Sequence, residues 1–136
     1  MLMPSVRIAA LLIGVAAMAV STASVAQEAK SPVAAESDAG QQAFNNACRT
    51  CHMVREGDNR LGPNLHKVVG RKAGSLPDYP FSSALKEAGF VWDEEKLDRF
   101  MANPDQVVPG NGMKPYGGLP SSNERKKIIA FLAQPR

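Results

Sequence analysis

Three features of the sequence predict an all-α fold. No stretch alternates apolar and polar residues as a half-buried strand must. Several short stretches carry apolar residues at helical spacing behind a capping residue. The segments between them are too rich in glycine and proline to be regular. In chain order, residues 27–37 are Ala, Glu, Lys, Ser and Pro without a period, and read as a flexible lead-in. The first helix is expected from Asp38, a candidate N-cap, with Gly40, Phe44, Ala47 and Cys51 at helical spacing. Gly40 lowers helix propensity in its first turn, and its use would be to let another helix approach. Residues 54–80 read as loops, and Ser82 to Ala88 as a short helix. Asp93 caps a better one: Glu94 and Glu95 suit its positive end, and Leu97, Phe100 and Met101 form the apolar stripe. Asn103-Pro104 stops it. Residues 107–120 hold four glycines and three prolines and are expected to be irregular. The last helix opens on a capping box, Ser121 with Glu124, and presents Ile128, Phe131 and Leu132 on one face.

The 136 residues allow one ordinary domain, and the first 26 read as something else. Arg7 precedes an uncharged run from Ile8 to Val20, followed by Ser24-Val25-Ala26, a small-x-small cleavage pattern. The expected organisation is a secretory signal peptide over 1–26, the lead-in over 27–37 and a folded domain over 38–134. Kept uncleaved, the leader would act as an N-terminal anchor. Export makes the periplasm the expected location for a bacterial source. Beyond residue 26 the chain has 15 basic and 13 acidic residues, which argues against nucleic acid as a partner. Only 21 of those 110 residues are Leu, Ile, Val or Phe, so side chains alone would make a marginal core. Something besides polypeptide is expected to fill the middle.

Both cysteines and one of the two histidines fall in a single pentapeptide, Cys48-Arg49-Thr50-Cys51-His52. In an exported chain two cysteines ordinarily suggest a disulfide. Cys-x-x-Cys-His is instead the attachment pattern for c-type haem, one per chain here. Two thiols one short turn apart add across the vinyl groups of one porphyrin edge, and the next residue brings its imidazole to the iron. A redox-active Cys-x-x-Cys would want a βαβ pattern, which is lacking. A zinc site would want a fourth ligand, and His66 lies in a Gly-Pro-rich loop without a third cysteine.

What fills the sixth position on the iron decides function. Histidine with methionine makes an electron carrier, whereas an open site invites gas or peroxide chemistry. The candidates are His66, Met53, Met101, Met113 and no ligand at all. Met53 follows His52 directly and cannot reach the opposite face. Met101 sits on an apolar helical stripe, where methionine ordinarily packs a core. His66 reads as a surface histidine. Met113 stands in Val107-Val108-Pro109-Gly110-Asn111-Gly112-Met113-Lys114-Pro115, a rigid loop that can press a thioether onto a flat ligand. It is the preferred axial partner of His52.

These motifs in order resemble a class I monohaem cytochrome c of the mitochondrial and bacterial c2-like branch. The likeness runs over 38–134 and includes Leu61-Gly62-Pro63-Asn64-Leu65, Gly70-Arg71-Lys72, Trp92 before an acidic helix, Asn103-Pro104, Pro109-Gly110 before Met113, and Ile128-Ile129-Ala130-Phe131-Leu132. It implies a small fold of three to five helices wrapped around one covalent haem. It implies that the Pro63 carbonyl accepts a hydrogen bond from His52, and that Gly40 and Phe44 cross Ile128 and Phe131. Trp92 and Arg71 would bind or screen a buried propionate, with Asn111 a weaker candidate. Trp92 also reads as a staple on Leu97. The sequence departs from the family where Phe81 and Phe100 replace tyrosines. Tyr79 is placed to supply a hydroxyl instead, and Lys114-Pro115 replaces an aromatic, with Tyr116 following. Ala47, Asp105 and Gly112 stand where mitochondrial relatives carry docking lysines, leaving Lys114, Arg60, Lys67 and Lys126 as a weaker basic rim.

The function implied is one-electron shuttling between redox proteins of an exported respiratory or photosynthetic chain, by a non-enzymatic monomer with transient donors and acceptors. The membrane would be met only through partner complexes or the leader. The alternatives are a gas-sensing or peroxidase-like haem protein, if Met113 does not ligate, and a dedicated electron-accepting subunit of a dehydrogenase.

Overall fold

Every helix opens on a side-chain oxygen. The computed structural model describes residues 31–135 and holds five helices among them: α1 (Pro32–Ala47), α2 (Ser83–Glu87), α3 (Glu94–Ala102), α4 (Pro104–Val107) and α5 (Ser122–Leu132). Ser31, Ser82, Asp93, Asn103 and Ser121 each accept the amide N–H three residues ahead, at 2.7–3.3 Å. Each satisfies one of the four amides that a helix start leaves without a partner. The expected leader lies outside the described residues, as do residues 27–30 of the lead-in.

The remainder of that lead-in is helical. α1 begins six residues before Asp38, because Ser31-Pro32 is itself a start signal. The serine caps, and proline at the first position loses no hydrogen bond. Ser37 ties the added turn to the far end of the chain through Gln134, 3.3 Å away. A second departure is α4. Asn103-Pro104 does end α3, but the same pair starts the next helix, with Asn103 as cap and Pro104 in the first turn. Irregular chain therefore begins only after Val107. At α5 half of the capping box forms: Ser121 takes the Glu124 amide, while the Glu124 carboxylate turns to Lys127 at 2.6 Å.

The frame is the crossing of α1 on α5. A Cβ at Gly40 would lie 2.7 Å from the Lys127 carbonyl oxygen and 2.8 Å from Phe131 Cβ, so hydrogen is all that fits. Phe44 then stacks on Phe131 with ring centroids 5.4 Å apart, and Ile128 is fully buried. This is the crossing the resemblance implies. α3 joins α5 through Arg125, whose guanidinium pairs with Asp98 at 2.8 Å. It also donates to the Leu119 and Pro120 carbonyls.

No strand forms among the described residues; one isolated bridge links Lys72 to Val91. Gly70 donates to the Trp92 carbonyl and Trp92 to the Arg71 carbonyl, which brings the long segment after His52 back against the start of α3. Trp92 sits edge-on between Phe90 and Phe100, at 4.8 and 4.9 Å, and this aromatic trio is a second apolar centre. Among the described residues no helix is long and apolar enough to cross a membrane.

Candidate functional site

The Cys48–His52 motif continues directly from α1. Cys48 donates to the Phe44 carbonyl, and Cys51 and His52 both donate to the Cys48 carbonyl, at 3.0 and 2.9 Å. That turn places two thiols and an imidazole at the end of a helix already anchored by the α1–α5 crossing. Neither cysteine is in a disulfide, and both are partly buried. Burial, with Cys51 beside it, pushes the Cys48 thiol up to about 11, so it is held protonated.

His52 is buried, and its Nδ1–H donates to the Pro63 carbonyl at 2.8 Å. The Nε2 lone pair is thereby left as the free coordinating position. Burial lowers the imidazole pKa, with the Arg71 charge acting in the same direction against the Pro63 bond. The neutral, ligating form is favoured. Gly62 completes the cradle: a Cβ there would stand 2.2 Å from His52 Cε1. The resemblance implied Pro63 but not this need for glycine, and nothing local to Leu61-Gly62-Pro63 says that a ring packs on it.

Met113 is partly buried in the loop after α4, packed at the margin of the core. Its amide donates to the Asn111 side-chain carbonyl at 2.7 Å. Glycines at 110 and 112 hold φ of 80° and 78° on either side of Asn111, a conformation costly for any other residue. The far end of the loop docks on the end of α3. Tyr116 Oη and the Leu119 amide both donate to the Met101 carbonyl, at 2.7 and 2.8 Å. Gly118 permits this, since a Cβ there would meet the Ala102 carbonyl at 2.2 Å. Burial pushes the Tyr116 hydroxyl up to about 12, with a further push from Cys48 against a pull from Arg125. Met101, by contrast, is buried in the core cluster, as read from its place on the α3 stripe.

The supporting residues divide. Trp92 is buried. Its ring partners are Phe90 and Phe100. Arg71 spends one N–H on the His66 carbonyl and one on that of Asn64, both at 2.9 Å, and keeps three. It lines an open recess of about 420 Å³ with Asn59, Asn64, His66 and Lys67; none of Cys48, Cys51, His52 or Met113 borders that recess. His66 is partly buried on the wall of that recess, its side chain 16% exposed.

Two of the expected supporting side chains are engaged by the protein itself. The Tyr79 hydroxyl has one proton and gives it to the Leu61 carbonyl at 2.8 Å, so it does not serve as the spare donor expected to stand in at Phe81. Asn111 commits both amide hydrogens, to Asp105 at 2.9 Å and to the Val108 carbonyl at 3.0 Å. It has none left for a propionate and instead braces Met113. Asp105, read from the sequence only as a missing lysine, accepts from Asn111 and pairs with Lys114. The basic rim is weaker than its residue count suggests. Arg60 pairs with Asp58 and Lys114 with Asp105, leaving Lys67 and Lys126 as its exposed members without an ion pair among the described residues.

Free paired thiols, an imidazole with one nitrogen tied back, and a thioether in a braced loop form a donor set that fits a c-type haem. The fold and this set define a class I c-type cytochrome, and the comparisons bear on the same point. The family model described as Cytochrome c matches residues 37–135, so the chain belongs to the cytochrome c family, carrying one covalent haem. It is 36% identical over 97 residues to "Cytochrome c" of Euglena viridis, covering 71% of this chain and 94% of that protein. It is 43% identical over 95 residues to "Cytochrome c2" of Rhodomicrobium vannielii, covering 69% and 74%. Among solved structures it is similar to cytochrome cH from Methylobacterium extorquens, with a TM-score of 0.64 and 38% identity. That match covers 71% of this chain and 95% of the other. The protein is a one-electron carrier between redox partners, not an enzyme.

Proposed function

We propose that Cys48 and Cys51 carry the haem thioethers, that His52 and Met113 are the axial ligands, and that the carrier works in an exported, periplasmic redox chain. The observation that carries the ligand assignment is the bond from His52 Nδ1 to the Pro63 carbonyl at 2.8 Å, which orients the ring and frees Nε2. Asn111 supports Met113 as the opposing ligand by holding its backbone where the loop has no helix to lean on. The haem supplies a one-electron couple at its iron. What the chain does is keep both ligands in place and water out. Gly62 and Pro63 fix the imidazole, the loop ends fix the thioether, and Trp92 and Arg71 offer N–H groups to the propionates. With neither ligand leaving, little reorganises when charge changes.

Partners meet the protein as a monomer, briefly, through a small surface steered by Lys67 and Lys126. The association rate falls as salt rises, because exposed charges are screened within about 10 Å at 0.1 M ionic strength. Leu61, 78% exposed beside Gly62, offers a partner an apolar contact. The uncharged run from Ile8 to Val20 supports export.

The test is spectroscopic. Ferric protein should show the weak far-red band of iron–sulfur ligation, and the ferrous form should not bind carbon monoxide. Met113→Ala should lose the band and gain carbon monoxide binding, and Cys51→Ala should lower the yield of haem-loaded protein. An unchanged spectrum in Met113→Ala refutes the ligand assignment, and carbon monoxide binding by the unaltered protein would point to a gas-binding or peroxidase-like haem. Stable co-elution with one dehydrogenase would replace the transient carrier with a dedicated subunit.

A further inference from the structure

We propose that Asp105 is the positioning residue for the Met113 thioether, holding the chain on both sides of it from one carboxylate. The proposal rests on the reading of Met113 as an axial ligand. One Asp105 oxygen accepts Asn111 Nδ2 at 2.9 Å, and Asn111 Oδ1 in turn accepts the Met113 amide at 2.7 Å. The other Asp105 oxygen pairs with the Lys114 ammonium. Residues 111 and 114 are thus tied to one side chain in the short helix α4, with Met113 between them. The Asn111 arm runs from an exposed Asp105 to a buried end: Asn111 is 3% exposed and its second amide hydrogen is fixed on the Val108 carbonyl.

The loop needs such a clamp. Between Asn111 and Leu119 its backbone makes one local hydrogen bond, from Lys114 to the Gly112 carbonyl, and Gly112 beside the methionine leaves the chain free to swing. A neutral thioether brings no charge of its own to the iron, so its hold depends on how far the chain presents it in place. Tyr116 and Leu119 secure the loop on Met101 three residues beyond Met113 and further. Asp105 secures it next to Met113. An exposed ion pair adds little to folding stability, so the effect belongs in ligation rather than in unfolding.

The experiment titrates imidazole into the ferric, haem-loaded protein and follows the far-red iron–sulfur band. Imidazole binds only by displacing the thioether, so a looser thioether means tighter apparent imidazole binding. Asp105→Ala should raise imidazole affinity about tenfold, the lower end of what loss of an outer-shell partner costs a metal ligand. Asp105→Asn retains an oxygen for Asn111 but not the ion pair, and should recover part of the difference. Phe44→Leu, which weakens the α1–α5 crossing away from the loop, should leave imidazole affinity unchanged. The proposal is overturned if Asp105→Ala binds imidazole like the parent while Met113→Ala binds it more tightly. It is also overturned if Phe44→Leu reproduces the Asp105→Ala gain, since the effect is then general loosening. If the parent lacks the far-red band and Met113→Ala binds imidazole no more tightly, the axial assignment itself fails and takes this proposal with it.

Discussion

Replacing Gly62 with alanine tests the imidazole cradle with a single methyl group. The backbone there is not in the left-handed region, so alanine adds no conformational strain of its own. The added Cβ would stand 2.2 Å from His52 Cε1, 2.6 Å from Nδ1 and 2.8 Å from Nε2. Ordinary carbon contacts begin near 3.5 Å, so the ring or the chain must give by roughly 1 Å. A ring that moves so far loses its 2.8 Å bond to the Pro63 carbonyl. Overpacking costs about 1–3 kcal/mol. The lost hydrogen bond costs about 1 kcal/mol more. A loss of about 2–4 kcal/mol is expected, and each kcal/mol lowers the melting temperature of a domain this size by roughly 4–8 °C. Denaturant unfolding of the haem-loaded protein measures the loss, and the ferric spectrum reports whether the imidazole is still bound. Gly117→Ala is the control, because nothing lies within 4 Å of a Cβ there and its φ is ordinary. Parental stability and spectrum in Gly62→Ala would refute the cradle.

Three further outcomes follow from the packing. Gly40→Ala should destabilise even though alanine is the better helix former by about 1 kcal/mol; its Cβ meets a backbone carbonyl and Phe131 Cβ below 3 Å, and a raised melting temperature would mean that α1 does not cross α5 there. Arg125→Ala should cost about 3 kcal/mol in chemical denaturation, since it strands the Leu119 and Pro120 carbonyls and the Asp98 carboxylate; a loss under about 0.5 kcal/mol would place those groups in water. Tyr116→Phe should flatten an alkaline decline. The folded hydroxyl is raised to about 12, so its contribution is complete below the unfolded value near 10 and is lost as pH rises from there through 12. Identical pH–stability curves for the two proteins between 10 and 12 would count against burial of that hydroxyl.

Wherever the deciding interaction is local, the sequence carries it. The cap at Asp93, the short helix behind Ser82 and the amphipathic run behind Ser121 are contacts between residues three or four apart, and the structure keeps all three. Local signals misled where one residue pair has two uses. Asn103-Pro104 is read as a stop and also serves as a start, and Ser31-Pro32 starts a helix within a stretch whose composition has no period.

The candidate donor set Cys48, Cys51 and His52 is legible for the same reason: the pattern for covalent attachment is contiguous, so it is written in five adjacent residues. Met113 was legible only as a methionine with nothing regular to pack. What tertiary structure alone decided is who holds whom across the chain. The Tyr79 proton went to Leu61, both Asn111 amide hydrogens to the α4 side, and the Asp105 carboxylate to Asn111 and Lys114 on either side of Met113. A polar side chain can satisfy itself on any partner the fold brings near, and composition does not rank partners far apart in sequence. The glycines at 40 and 62 are of the same kind. Their requirement comes from an opposing helix and an opposing ring, and exists only once the chain has folded.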